Sequence, residues 1–412
     1  MRFRNEKSFS QELDDNDVLK NFRDQFHYPK NDSGQELIYL CGNSLGLQPK
    51  KVAENVTKEL SVWSEHAVLG QDSRWIQYHE RLNEPSAKLV GALNSEVVVM
   101  NALTVNIHLL LLSFYKPSGD RKKILIEKNA FPSDLYAVES HIKLHGYNPG
   151  DSIIKLSPRE GERIIHHEDI VKIVNKHSTE ISLIYLGAVN YYTGQVFDIE
   201  KISKLARSNG IIVGFNLAHA AGNIPLELHK WNVDFSAWCT YKYLCAGPGS
   251  PSGVFINERH HNWDGPRLAG WWGHNKRSRF EMPSNFDPII SAEGWQISNA
   301  PILGMAPLIA SMELYMMAGM KKISSKGKRL SDFAEYLIKI NLPHIKIITP
   351  RDRGCQLSLV MANGQKIYRY LTENGVICDW RDPDVIRIAA HPLFNKYSEI
   401  FEFVQILKTF HD

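Results

Sequence analysis

The 412 residues are 43% hydrophobic and 23% charged, the balance of a soluble globular protein, and too many for one compact core, so two domains are expected. A net charge of +3, with no basic stripe among aromatics, argues against nucleic-acid binding. Met1–Lys7 has no apolar signal core, the longest apolar run (Ile107–Tyr115) is too short for a bilayer, and five cysteines without a CxxC pair fit a reducing cytoplasm.

Residues 1–36 are polar and mixed in charge, and read as a helical arm with a loop. The apolar run Ile38–Cys41 then breaks into Gly42-Asn43-Ser44-Leu45-Gly46. The N–H groups and Ser44 hydroxyl of such a turn suit an anionic ligand group, although spacing alone favours a plain turn. Residues 50–93 read as helices. From residue 97, strands and helices alternate. Strands are expected over Val97–Met100, Lys123–Glu127, Ser152–Leu156, Ile181–Leu186, Ile211–Phe215 and Phe235–Cys239, and helices over Leu103–Tyr115, Pro132–His145, Glu168–Lys176 and Ile199–Ser208. This alternation predicts an α/β fold whose mostly parallel sheet is covered on both faces.

Ligands of such sheets bind beyond the carboxyl ends of the strands. There the chain carries Leu103 and Thr104 at a helix start, and Phe131-Pro132-Ser133-Asp134 on a Pro-fixed turn. Further on come Gly187–Gly194, then Asn216 and His219, then Tyr241 and Lys242. Taken singly each has a bland reading: Phe131 as core, Asp134 as a helix-start charge, His219 as a satisfied core histidine, Lys242 as a strand-end lysine that snorkels to water. Taken as a set they suit a flat aromatic ligand with a phosphate tail. Thr104 and free helix N–H groups would take the phosphate, Phe131 would stack on the ring, and a desolvated Lys242 would form a Schiff base. That set points to pyridoxal phosphate. The pairs His166-His167 and His260-His261 lack a partner at metal-ligand spacing and read as solvated surface, so no metal is expected.

Beyond a long helix near 302–320 the pattern becomes α+β, with a helix at 330–340, strands at 346–349 and 356–360, a helix at 367–374 and a strand at 385–389. The expected division is a large cofactor domain at 61–310 and a small C-terminal domain at 311–412, to which the arm at 1–60 adds. Arg387 stands between apolar residues on the last strand. Its guanidinium suits either a ligand carboxylate or a structural acid.

With these residues assembled, the chain resembles the kynureninases, fold-type-I pyridoxal phosphate enzymes, from about Ile38 to Asn395. The motifs are YLCGNSLG at Tyr39–Gly46, MNALTVN at Met100–Asn106, FPSD at Phe131–Asp134, YYTGQ at Tyr191–Gln195 and YKY at Tyr241–Tyr243. GWWGH at Gly270–His274, ISN at Ile297–Asn299 and RGCQL at Arg353–Leu357 complete them. The resemblance implies Lys242 as the Schiff-base lysine, and Leu103, Thr104, Tyr241 and Trp271 on the phosphate side. It implies Phe131, with Pro132 and Ser133 on its turn, against the ring, and Asp134, Asn216 and His219 as polar residues facing the cofactor. Arg387 would clamp the substrate carboxylate, and Ser44 and Asn299 would line the substrate pocket, with Asn299 near the cofactor too. The implied reaction is hydrolysis of kynurenine, or 3-hydroxykynurenine, to alanine and the matching anthranilate, a step of tryptophan degradation. Tyr241 would return a proton to Cβ. A homodimer with its site near the subunit interface is also implied.

One position departs from the family: Asn216 stands where its members have an Asp that faces the pyridine nitrogen. A nearby carboxylate raises a cation's pKa by roughly 1–3 units, and Asn cannot. Three explanations follow: an inactivated variant, an enzyme in which Asp134 supplies the charge, or a cofactor-binding homologue without kynureninase activity. The expectation is that Asn216→Asp raises kynurenine hydrolysis at least about tenfold. A cysteine-desulfurase-like reaction is the remaining alternative. It needs a mobile nucleophilic cysteine, whereas Cys355 and Cys378 lie in or beside apolar runs and read as structural thiols.

Overall fold

The computed structural model describes residues 3–410. Its strands are β1 (Ile38–Tyr39), β2 (Val97–Met100), β3 (Lys123–Glu127), β4 (Ile153–Leu156), β5 (Ile181–Gly187), β6 (Ile212–Asn216), β7 (Phe235–Trp238), β8 (Ser252–Ile256), β9 (Lys346–Ile347), β10 (Gln356–Val360), β11 (Val376–Ile377), β12 (Asp379–Arg381) and β13 (Val385–Ala389). Seven of them form one sheet in the order β2-β8-β7-β6-β5-β3-β4.

The apolar strand sequences make sense only in a sheet covered on both sides. Val97 and Val99 of β2, Leu125 of β3 and Ile184 and Leu186 of β5 enter one core. Their neighbours Val98 and Met100, Ile124 and Ile126, and Leu183 and Tyr185 enter another. This is the two-residue alternation of a pleated strand, with both faces apolar. The covering helices Leu103–Phe114, Pro132–Leu144, His167–Lys176 and Ile199–Ser208 lie within a residue or so of their expected bounds.

The six expected strands share one direction. β3, β4, β5, β6 and β7 are parallel where they pair, and β2 joins them through β8, which runs against both its neighbours. β8 is the strand that the sequence reading lacked. It follows β7 without an intervening helix, so it returns as a hairpin partner rather than through a crossover.

A second core gathers Phe9 and Leu13 of the arm, Ile38 and Leu40, and Leu330, Leu357, Ile388 and Phe403. Its sheet is antiparallel in the order β12-β13-β10-β9, and β1 pairs in parallel with β11. The helix expected at 330–340 is the second half of Met320–Asn341, and a terminal helix, Tyr397–Lys408, was not foreseen. Met320–Asn341 leaves the preceding helix, Ile302–Ala318, at an angle of 85°. Gly319, at φ +77°, makes that corner in a conformation that side chains resist. No single helix among the described residues is long and apolar enough to cross a membrane.

The histidine pair at 260–261 is not solvated surface. His261 is buried, and His260 bonds Asp234 at 2.7 Å with its ring edge-on to Phe114. The turn after β8 folds back onto the sheet and covers it.

Candidate active site

The carboxyl ends of the parallel strands surround one cavity of about 190 Å³. Leu103 and Thr104 follow β2. Phe131, Ser133 and Asp134 follow β3. Asn216 ends β6, with His219 just beyond it, and Tyr241 and Lys242 follow β7. All of these line the cavity.

Two helix starts converge on one wall. Leu103 and Thr104 open one helix, Pro132 and Ser133 the other, and the Thr104 and Ser133 hydroxyls meet at 2.8 Å. Free N–H groups, two helix dipoles and two hydroxyls make that wall an anion cradle. Pro132 itself faces away: it supplies the fixed φ of a helix start and does not line the cavity.

Lys242 is half-buried. Its Nζ stands 3.0 Å from His219 Nε2 and 5.9 Å from the centroid of the Phe131 ring. Phe131 is itself edge-on to Tyr191 at 5.4 Å. No carboxylate lies within ion-pair distance of Lys242 among the described residues. Burial pushes its ammonium below its ordinary range, and Arg387 and Arg381 nearby push the same way. Burial, then Lys242, hold His219 well below its ordinary range, so its ring is neutral. His219 Nδ1 is buried without a protein partner. Burial and Cys239 push the Tyr241 phenol up, so it keeps its proton at any ordinary pH.

The backbone around Lys242 is held from three sides. Gly46 N–H donates to the Tyr241 carbonyl at 2.8 Å. A side chain on Gly46 would come within 2.5 Å of the Lys242 carbonyl oxygen and of Cys245 Sγ, so the Gly42–Gly46 turn can dock here only with glycine. The Tyr243 carbonyl accepts from His391 Nε2 at 2.8 Å and from the Tyr315 hydroxyl. The Leu244 carbonyl takes the Ser311 hydroxyl.

Asp134 is buried, and Asn216 Nδ2 donates to its two oxygens at 2.9 and 3.0 Å. Burial pushes the Asp134 carboxyl up to about 6, and the Asn216 hydrogen bond and Lys242 hold it back from going further. Sequence reasoning missed a second carboxylate, Glu127, at the end of β3. It also lines the cavity, accepts from Gly187 N–H at 2.8 Å and Asn190 Nδ2 at 2.5 Å, and is pushed by burial to about 7. Its signal was available: it is the only charge closing an otherwise apolar strand end. Asn190 and Tyr191 line the cavity as well.

The other expected site residues do not line this cavity. Arg387 is buried and grips Asp379, with Nε at 3.2 Å and Nη2 at 2.6 Å, while Nη1 donates to the Tyr191 carbonyl. Arg381 shares the same carboxylate at 3.0 Å. Two guanidiniums on one carboxylate leave a net positive charge. Ser44 sits half-buried in the turn that Gly46 docks. Trp271 and Asn299 are exposed and do not line the cavity of their own chain. Of the five cysteines, Cys41 is half-buried and the rest are buried; burial raises Cys355 and Cys378, and none lines the cavity.

Residues 323–407 match the model of the kynureninase C-terminal domain. The whole chain is similar to the kynureninase of Flavobacterium johnsoniae, 48% identical over 421 residues and covering 99% of each chain. The kynureninase of Myxococcus xanthus is 47% identical over 416 residues, covering 98% of this chain and 97% of its own. Among solved structures, a C-DES variant with glycine covalently linked to its PLP cofactor superposes with TM-score 0.79 at 18% identity, covering 94% of this chain and 99% of that one. The cysteine desulfurase of Thermococcus onnurineus gives 0.75 at 16% identity, covering 97% of each. At such identities these two structures speak to the fold alone.

Proposed function

The chain belongs to the kynureninase family, and from that premise we propose that it hydrolyses L-kynurenine, or its 3-hydroxy form, to L-alanine and the matching anthranilate with pyridoxal 5′-phosphate in the cavity at Lys242. The residues present fit that group. Lys242, half-buried with no acid partner among the described residues, and a buried His219 Nδ1 with no protein partner are polar groups left for a ligand to satisfy. The anion cradle at Thr104 and Ser133 suits a phosphate, and Phe131 offers a ring face above Lys242.

Lys242 would hold the cofactor's carbonyl carbon, Leu103, Thr104 and Ser133 its phosphate, and Phe131 its ring, with Asp134, Asn216 and His219 facing the ring's polar edge. Bound there, the cofactor supplies an electron sink beside the substrate's Cα. Lys242, as a free amine, would take the proton from Cα, which its lowered basicity suits. Water adds to the γ-carbonyl, and the Cβ–Cγ bond breaks. Tyr241, which keeps its proton, donates to Cβ. The net positive charge of Arg381, Asp379 and Arg387 orients the substrate's carboxylate.

Trp271 and Asn299 act in the cavity of a second copy of the chain, in a homodimer, and Ser44 borders the substrate pocket. The unpaired thiols suit a cytoplasmic enzyme. A desulfurase reaction is disfavoured by the absence of a cysteine from the cavity lining.

The observation that carries this reading is Lys242 at the head of the cavity, with no acid partner among the described residues. The test is a purified holoprotein. It should be yellow, bleach with borohydride, attach the cofactor at Lys242, and release fluorescent anthranilate from kynurenine. A protein that takes up no cofactor, or attaches it elsewhere, removes the reading.

A further inference from the structure

Asn216 closes β6, and Asp134 stands in the first turn of the helix Pro132–Leu144. The contact between them is oriented at both ends. Asn216 Oδ1 accepts from Ala218 N–H at 2.9 Å, so its amide nitrogen is the end that faces Asp134, at 2.9 and 3.0 Å from the two oxygens. Turned over, the amide would set oxygen against carboxylate and N–H against N–H. Nδ2 is thus engaged and is not free to donate to an unprotonated ring nitrogen, the failure that an Asn here otherwise invites. Both side chains are buried and both line the cavity that holds Lys242.

We propose that in this chain Asp134 alone is the anion paired with the ring nitrogen of pyridoxal phosphate, and that Asn216 is a positioning residue that aims the Asp134 carboxylate and keeps the pair at a single charge. This rests on the functional reading above. It would also account for an active enzyme with Asn at 216. An Asp there would set two buried carboxylates about 3 Å apart, and such a pair holds one proton between them. Its charge would be the one that Asn216 and Asp134 already carry. The burial that raises Asp134 and the Lys242 charge that restrains it agree with a lone carboxylate that ionises beside a cation.

The test is the holoenzyme reconstituted with cofactor labelled with nitrogen-15 in the ring, whose chemical shift reports the ring proton without turnover. Wild type and Asn216→Asp should both show a protonated ring nitrogen, with turnover within about threefold of each other, short of a tenfold (~1.4 kcal/mol) effect. Asp134→Asn should show an unprotonated nitrogen and a cofactor dissociation constant at least about tenfold higher, as expected for loss of a charged partner. Asn216→Ala should keep the proton and weaken cofactor binding several-fold, which isolates positioning from charge.

A protonated ring in Asp134→Asn, a tenfold gain in Asn216→Asp, or unchanged cofactor affinity in Asn216→Ala overturns the proposal while leaving cofactor chemistry at Lys242 intact. A wild type that binds no cofactor overturns the functional reading and this proposal together.

Discussion

Lys242 Nζ and His219 Nε2 stand 3.0 Å apart, and burial pushes both groups towards their neutral forms. A neutral pair shares a hydrogen bond where a charged pair would repel. Neutral His219 therefore accepts from Lys242 without placing a second positive charge beside it, while burial, with Arg387 and Arg381 nearby, lowers the ammonium.

Two substitutions separate attachment from tuning. Lys242→Ala should abolish borohydride fixation of the cofactor and lower hydrolysis by about 10³-fold or more, the scale of a lost proton-transfer group. His219→Phe should still attach the cofactor. The pH at which attachment is half-maximal should move downward, since the Lys242 ammonium loses the acceptor at His219 Nε2. The absorbance titration of attachment reads both, and an unmoved midpoint in His219→Phe would remove the tuning role.

The meeting of Thr104 and Ser133 across two helix starts should matter for retention of the cofactor more than for chemistry. Thr104→Val combined with Ser133→Ala should raise the cofactor dissociation constant about 10- to 100-fold, the worth of hydrogen bonds to a charged group. Turnover at saturating cofactor should stay near wild type. A fall in saturated turnover with unchanged affinity would contradict the cradle.

His391 gives a pH signature. Its Nδ1 accepts from Leu393 N–H at 3.2 Å and its Nε2 donates to the Tyr243 carbonyl at 2.8 Å. Burial holds its pKa down to about 4. In the unfolded chain it would protonate near the ordinary value of about 6.5. Between these values the unfolded state binds the extra proton, so this residue's stabilisation is full above about 6.5 and drains away as pH falls towards 4. His391→Gln should cost about 1–3 kcal/mol at pH 7. The gap in Tm between wild type and variant should narrow at pH 5; a constant gap would show that His391 does not titrate this way.

If Trp271 serves the cavity of a second copy, two inactive variants should complement each other. Mixing Lys242→Ala with Trp271→Ala after subunit exchange should restore up to about a quarter of wild-type activity, because half the dimers are hybrids with one intact site each. No recovery in a mixture shown by mass to contain hybrids would assign Trp271 to its own chain.

Much of this was legible before the structure. The parallel strands could be read because most of the apolar runs are followed by a helix-length stretch, and the cavity residues because ligands gather at the ends of such strands. β8 was not read, since its apolar run follows the Gly247–Gly249 turn without a helix to mark it. Glu127 was passed over as the end of a strand, although a carboxylate there has no reason to be apolar core. The grip of Arg387 on Asp379 depends on the register of β12 against β13, where Asp379 faces Arg387, and no local pattern carries register. Trp271 and Asn299 were named through family motifs, and their exposure on one chain is a matter of assembly, which periodicity does not encode. Asn216 was identified as the point of doubt; the bond to Asp134 that gives it meaning joins residues 82 positions apart.

The reversed strand has a mechanical consequence. Tyr241 apart, the other cavity residues lie at or beyond the ends of strands whose next strand runs in the same direction, but Lys242 lies in the connection between β7 and β8, which are adjacent and antiparallel, with Trp238 opposite Gly253. Both ends of its loop are clamped to neighbouring rungs of one ladder. During a catalytic cycle the lysine's reach can change through its four side-chain torsions while its Cα stays where it is. Attachment and release of its Nζ are therefore a swing of a tether on a fixed post, and the rest of the sheet need not register the difference.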